Sequence, residues 1–331
     1  MNKHVMTLAA FCSVVLAGCQ QSEGELDVRE EYPVSIEASI GDTIGSRYVG
    51  DEPNEAVFES GDNIGLAYKV GTDDAIGFVK WTLDEEGWNP SSAMSWKNLG
   101  ENHTFYAFYP YGDDLENVTL GQVKMPVLTG QDGTMSSVAA RDFLVATKTM
   151  KYSNGGEVSF TGNDAFKHVS SLVVFTLNNT GDLASAKINN ITLTGTNLVA
   201  ESTYSFTATD TEVSFVDASN DDIMSASISS ENSAMDGKFR KFYFVVNSET
   251  VNLSAVTLSI TYKTAGGEVY KASRTNLTPT SGHTQFQKGF FYNYSITVST
   301  GNELIITGYN INEWDEGGSL DVTINGSEKQ N

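Results

Sequence analysis

Short runs of β-branched and aromatic residues, each closed by Gly, Asn or Asp, constrain this sequence more than any other feature. Ile64 to Tyr68, Phe105 to Tyr109, Leu172 to Leu177, Ile191 to Leu193, Phe242 to Val246, Val256 to Tyr262 and Tyr294 to Val298 have the length and composition of strands. Asn154-Gly155-Gly156, Thr180-Gly181-Asp182 and Ala265-Gly266-Gly267 punctuate them. The Gly-Gly pair inside Lys263 to Tyr270 signals a hairpin. Helical periodicity is confined to brief stretches such as Ala93 to Leu99. Many short strands without intervening helices predict an all-β chain of antiparallel sandwiches.

The N-terminal region reads differently. Lys3 and His4 precede an apolar run from Val5 to Leu16, the length of a signal-peptide core. A membrane-spanning helix takes about 20 apolar residues, so this run is too short for one. Leu16-Ala17-Gly18-Cys19 resembles the lipobox of bacterial lipoproteins, whose cysteine is lipidated and becomes the new N-terminus. Residues 1–18 are then a signal peptide, and the membrane is met only through lipid on Cys19. The other cysteine, Cys12, leaves with the leader, so no disulfide is expected and stability must come from core burial.

From Val34 the pattern alternates strictly. Val34, Ile36, Ala38 and Ile40 face one way, with Ser35, Glu37 and Ser39 opposite, as in a half-buried strand. Gly41-Asp42-Thr43 and Gly45-Ser46 then break it and leave Arg47 in a loop of the kind proteases cut. About 280 residues follow Arg47, enough for two ordinary domains. A boundary is expected near Thr161-Gly162-Asn163-Asp164, where a Trp- and Tyr-rich stretch gives way to Ser/Thr/Asn-rich strands. Leu320, Val322 and Ile324 form a second alternating strand near the C-terminus.

With 42 acidic against 20 basic residues and a formal charge of −22, the chain repels phosphate backbones. Nucleic acid is excluded as a partner on that ground. His103, His168 and His283 are widely separated, and no H-E-x-x-H, C-x-x-C or G-x-S-x-G pattern occurs, so no catalytic residue is assigned and no enzyme is expected. His168 reads as a hydrogen-bonded structural residue. Asp73-Asp74 and similar turns lack the D-x-D-x-D-G calcium loop, so neither a metal nor a cofactor is expected. Trp81, Trp88 and Trp96 lie among Gly, Pro and Ser, and exposure of one or two of them would suit a glycan.

Six motifs in order point to a family. Phe58-Glu59-Ser60-Gly61-Asp62-Asn63-Ile64-Gly65-Leu66 comes first, then Trp96 with Phe105-Tyr106-Ala107-Phe108-Tyr109-Pro110-Tyr111. Asp142-Phe143-Leu144 and Phe166-Lys167-His168-Val169 follow, and Gly289-Phe290-Phe291-Tyr292-Asn293-Tyr294 and Ile311-Asn312-Glu313-Trp314 close the series. Behind a lipobox, this order resembles the fimbrillin family, the subunits of type V pili. The resemblance implies two tandem transthyretin-like β-sandwich domains, here 48–163 and 164–331, behind a lipidated propeptide at 19–47. It implies an outer-membrane lipoprotein exposed at the cell surface and then incorporated into a fimbrium. It also implies cleavage between Arg47 and Tyr48 by a trypsin-like protease, loss of the Val34–Ile40 strand, and replacement of that strand by a neighbouring subunit. Leu320, Val322 and Ile324 are the donor candidates. The expected partners are other pilus subunits, the protease, and a host or glycan ligand. The alternative is a surface lipoprotein that does not polymerise, either an anchor subunit or a glycan- or host-ligand-binding module.

Overall fold

The structure, a computed structural model, describes residues 32–41, 57–112, 118–153, 155–195, 198–208, 212–215, 223–228, 233–246, 251–279, 282–299 and 302–313. Cys19, Arg47, Tyr48, Leu320, Val322 and Ile324 lie outside these.

The chain opens with β1 (Ser35–Ala38), β2 (Asn63–Val70), β3 (Ile76–Asp84), β4 (Gly87–Pro90), β5 (His103–Tyr109) and β6 (Val123–Lys124). A five-residue helix, α1 (Met135–Ala139), is capped by the Thr134 side chain, which accepts the Ser137 N–H. Then come β7 (Leu144–Met150), β8 (Glu157–Phe160), β9 (Lys167–His168), β10 (Ser171–Gly181), β11 (Lys187–Thr194), β12 (Ser202–Tyr204) and β13 (Val213–Phe215). The last strands are β14 (Ile223–Ser227), β15 (Phe239–Val246), β16 (Thr257–Lys263), β17 (Val269–Thr275), β18 (Phe290–Ser299) and β19 (Glu303–Glu313). The chain is all-β in character, as its punctuated apolar runs predict.

A six-stranded sheet runs β4-β3-β2-β5-β7-β9, and an eight-stranded sheet runs β14-β11-β16-β17-β19-β18-β10-β15. Alternation explains the first. Ile64, Leu66, Tyr68 and Val70 of β2 share a core with Phe105, Ala107 and Tyr109 of β5. Phe108 of β5 points to the other face, against Val123, Phe143 and Tyr204. Both faces of β5 are therefore covered, and Gly65 beside it has no space for a side chain: a Cβ there would lie 2.5 Å from the Phe108 ring. In the second sheet, β10, β11, β15, β16 and β18 supply a separate core that includes Phe175, Ile191, Phe244, Ile260 and Tyr294.

Residues 123–141 link the two. β6 pairs with β12, and Leu128 and Val138 belong to the second core. Pairings among the described strands are antiparallel except β1–β8, β10–β18 and a single pair in β17–β19. The Lys263–Tyr270 hairpin forms between β16 and β17, with Lys263 opposite Val269.

One expectation is corrected and one open possibility is answered. Ala93 to Leu99 is not helical: Ser95 bridges to Pro33, and Met94 and Trp96, two apart, are both buried. Their period is that of extended chain. The tryptophans are also not exposed. Trp81 sits mid-strand at 1% exposure, Trp96 is buried, and Trp88 is half-buried with its ring edge-on to Phe58. Their Gly, Pro and Ser neighbours mark turns around them and not their own environment.

Candidate functional site

The feature with the clearest functional geometry is the seat of β1. Val34, Ile36 and Ile40 are buried, Ala38 is half-buried, and Ser35 and Glu37 face solvent. Ser39, on the polar face of the alternation, is also buried, because the chain around it pairs on both its groups. Its N–H donates to the Phe160 carbonyl and its carbonyl accepts from the Phe166 N–H.

The seat is assembled from three distant pieces. β8 forms one wall, running parallel to β1 with Ser35 opposite Glu157, Ile36 opposite Val158, Glu37 opposite Ser159 and Ala38 opposite Phe160. Met94 to Trp96 holds the N-terminal end: the Val34 N–H donates to the Met94 carbonyl, and the Trp96 N–H donates to the Tyr32 carbonyl. Phe166 holds the C-terminal end, pairing with Ile40 and accepting the Gly41 N–H on its carbonyl. Beneath lie Ile64, Trp81, Phe105, Val158 and Phe160 in one apolar cluster with the strand. On the solvent side the Ser159 hydroxyl donates to Glu37 Oε2 at 3.0 Å.

Fully burying a Val or Ile side chain is worth roughly 1.5–3 kcal/mol, so three give roughly 5–9 kcal/mol gross. Without this segment, the carbonyls of Met94 and Phe160 and the N–H groups of Trp96 and Phe166 would lose their partners, and the Gly156 carbonyl would keep only the Trp96 indole N–H. An apolar trough flanked by unpaired backbone groups is a template for another strand.

His168, in the Phe166-Lys167-His168-Val169 motif, meets Asp142 of the Asp142-Phe143-Leu144 motif. Nδ1 and Oδ1 are 2.9 Å apart, and both side chains are buried. The pair is structural, as the sequence suggested. It anchors the stretch whose Phe166 closes the seat. Sequence reasoning singled out the strand but not its seat: Met94, Val158, Ser159 and Phe160 carry no local signal of a partner far away along the chain. Of the seat, only Trp96, Phe166 and the Gly156 turn carry a sequence signal, the first two in the family motifs and the third as a turn.

Among the described residues no group of His, Cys, Asp and Glu could hold a metal, and no helix is long and apolar enough to cross a membrane. The family profile described as fimbrillin-like matches residues 47–314. The chain belongs to the fimbrillin-like family. The fimbrillin-like fold recurs in solved structures. A candidate cell adhesion protein from Bacteroides uniformis is 16% identical with a TM-score of 0.58, over 87% of this chain and 99% of its own. Another from Bacteroides ovatus is 15% identical with a TM-score of 0.54, over 86% and 99% respectively. Among curated proteins, none matches the sequence.

Proposed function

We propose that this fimbrillin-like chain is a non-enzymatic subunit of a cell-surface fimbrium, built from two tandem transthyretin-like sandwiches, 48–163 and 164–331. It is exported as a lipoprotein on Cys19 and cut after Arg47 by a trypsin-like protease. A neighbouring subunit then refills the emptied seat, and the fimbrium supports adhesion to a host or glycan ligand.

One observation carries this reading: the chain holds two segments that suit the same seat. Ser319-Leu320-Asp321-Val322-Thr323-Ile324 matches Ser35-Ile36-Glu37-Ala38-Ser39-Ile40 in chemical class at every position. Laid in that register, Leu320 takes the place of buried Ile36, Ile324 that of Ile40, and Asp321 that of Glu37 beside the Ser159 hydroxyl. Val322 enlarges the half-buried Ala38 position, and Thr323 keeps the hydroxyl of Ser39. The contact is head-to-tail, so it does not close and makes a filament. With roughly 5–9 kcal/mol of gross burial in place, the cut propeptide stays seated until an incoming strand displaces it.

The test is to cut the purified protein after Arg47 and follow its mass in solution. Progressive oligomers that fail to form in Arg47→Ala, and in a chain lacking 319–324, support the reading. A cut chain that stays monomeric refutes it. The second reading, an anchor or monomeric binder, is favoured by how completely Val34, Ile36 and Ile40 already fill the seat.

A further inference from the structure

A cleft of about 260 Å³ is separate in its lining from the strand seat, and that lining is unusual for so acidic a chain. Its lining includes apolar groups, Val145 and Ala146 of β7, Ala165, Val169 and the Tyr204 ring. Charged groups from separate elements gather at its rim. Asp164 is held by Lys148, and Glu212 by Lys288 at 3.0 Å. Lys167 of β9 also reaches the rim and makes no ion pair among the described residues. Lys148 engages Asp164 from outside the lining and Lys288 engages Glu212, so Lys167 is the lining ammonium left without a carboxylate among the described residues, in a chain where acids outnumber bases two to one.

We propose that this cleft binds one acidic monosaccharide unit, with its carboxylate on Lys167. What is left open is local: Lys167 lacks a carboxylate partner, and a ligand carboxylate is the group that completes it. The rest of the rim suits a sugar ring. Thr147 and Asn163 can donate and accept, while Asp164 and Glu212 keep acceptor capacity for hydroxyls. The volume falls just below the usual range of about 300–1,000 Å³ for small-molecule sites, so it takes one ring and not a longer chain. Burial, with the Glu212 carboxylate beside it, pushes the Tyr204 hydroxyl well above its ordinary pKa. That hydroxyl is neutral and is hydrogen-bonded to the Glu212 carboxylate. The backbone of Lys167 is fixed by its pairing with Val145, so its side chain is presented and not recruited.

The proposal is independent of strand exchange, because none of the residues named as forming the strand seat lines the cleft. Glucuronate and glucose are titrated into the purified protein, with binding followed by calorimetry and by amide shifts in NMR. Saturable binding of glucuronate is expected, with shifts at Thr147, Asn163 and Lys167, and at least tenfold weaker binding of glucose. Lys167→Met keeps the stem and the fold, since the side chain is exposed, and should weaken glucuronate at least tenfold. Lys167→Arg should restore most of it. Equal binding of the two sugars, shifts elsewhere or nowhere, or unchanged affinity in Lys167→Met would overturn the proposal. Binding of an amidation-sensitive peptide carboxylate in place of glucuronate would overturn it too.

Discussion

Trp96 donates its indole N–H to the Gly156 carbonyl across 3.0 Å, a buried bond that closes the strand seat at its N-terminal end. It joins the stretch after β4 to the turn before β8, 60 residues apart in sequence.

Gly156 cannot be replaced there. Its φ is +67°, and a Cβ would lie 2.7 Å from the Pro33 carbonyl and 3.0 Å from the Trp96 nitrogen. Gly156→Ala should therefore cost about 1–3 kcal/mol, lower the melting temperature, and increase protease access to the Tyr32–Gly41 segment. Gly155→Ala offers the control: its φ is also positive, but nothing lies within 4 Å, so the strain is present without the collision.

His103 makes the seat pH-sensitive. It is fully buried, with its ring 4.7 Å from that of Trp96. The Lys97 N–H donates to Nε2, which puts the proton on Nδ1 facing the Glu101 carbonyl. Burial lowers its pKa from 6.5, more than the Glu101 carbonyl raises it. The folded state thus prefers the neutral ring, and below pH 6.5 the unfolded chain binds the proton first. Stability is complete above that pH and falls as pH drops toward the depressed folded value. Urea midpoints should show this loss as pH falls below 6.5, and His103→Gln should flatten it.

The strands were legible because their signal is local. Ile64 to Tyr68 and Phe105 to Tyr109 carry alternation and composition within themselves, and Val34 to Ile40 does the same. The seat was not legible. β1 and β8 pair in parallel across more than 100 residues, and nothing in Glu157-Val158-Ser159-Phe160 names its partner. The stretch from Ala93 to Leu99 misled because seven residues are too few to separate a period of two from one of 3.6. The charged cleft was equally hidden, since Asp164, Lys167, Glu212 and Lys288 meet only once the sheets have formed.

Asp142 and His168 should behave as a unit. Removing Asp142 takes away this hydrogen bond to the buried His168 ring, at about 1–3 kcal/mol. Asp142→Ala is expected to lose that much in chemical denaturation. Asp142→Asn, which still offers an oxygen to the ring, should lose less than half of it. Equal losses would mean that the site needs the charge.

Gln131 guards an edge. β15 ends the eight-stranded sheet, and the Gln131 amide stands in for a neighbouring strand there. Its Oε1 accepts the Val245 N–H at 2.8 Å, and its Nε2 donates to the Val245 carbonyl at 2.9 Å. The Gly133 carbonyl takes the Tyr243 N–H beside it. Gln131→Ala should cost about 1–3 kcal/mol for each backbone group left unpaired. It should also raise concentration-dependent aggregation, because a bare edge invites another strand. Light scattering at matched concentrations checks this.

The central claim is that β1 is removed. Mass spectrometry of the N-terminus of the protein taken from the cell surface tests it most directly. A start at Tyr48 is predicted. A lipidated Cys19 followed by an intact Val34 to Ile40 in the assembled protein would contradict it, since the seat would then never be vacated.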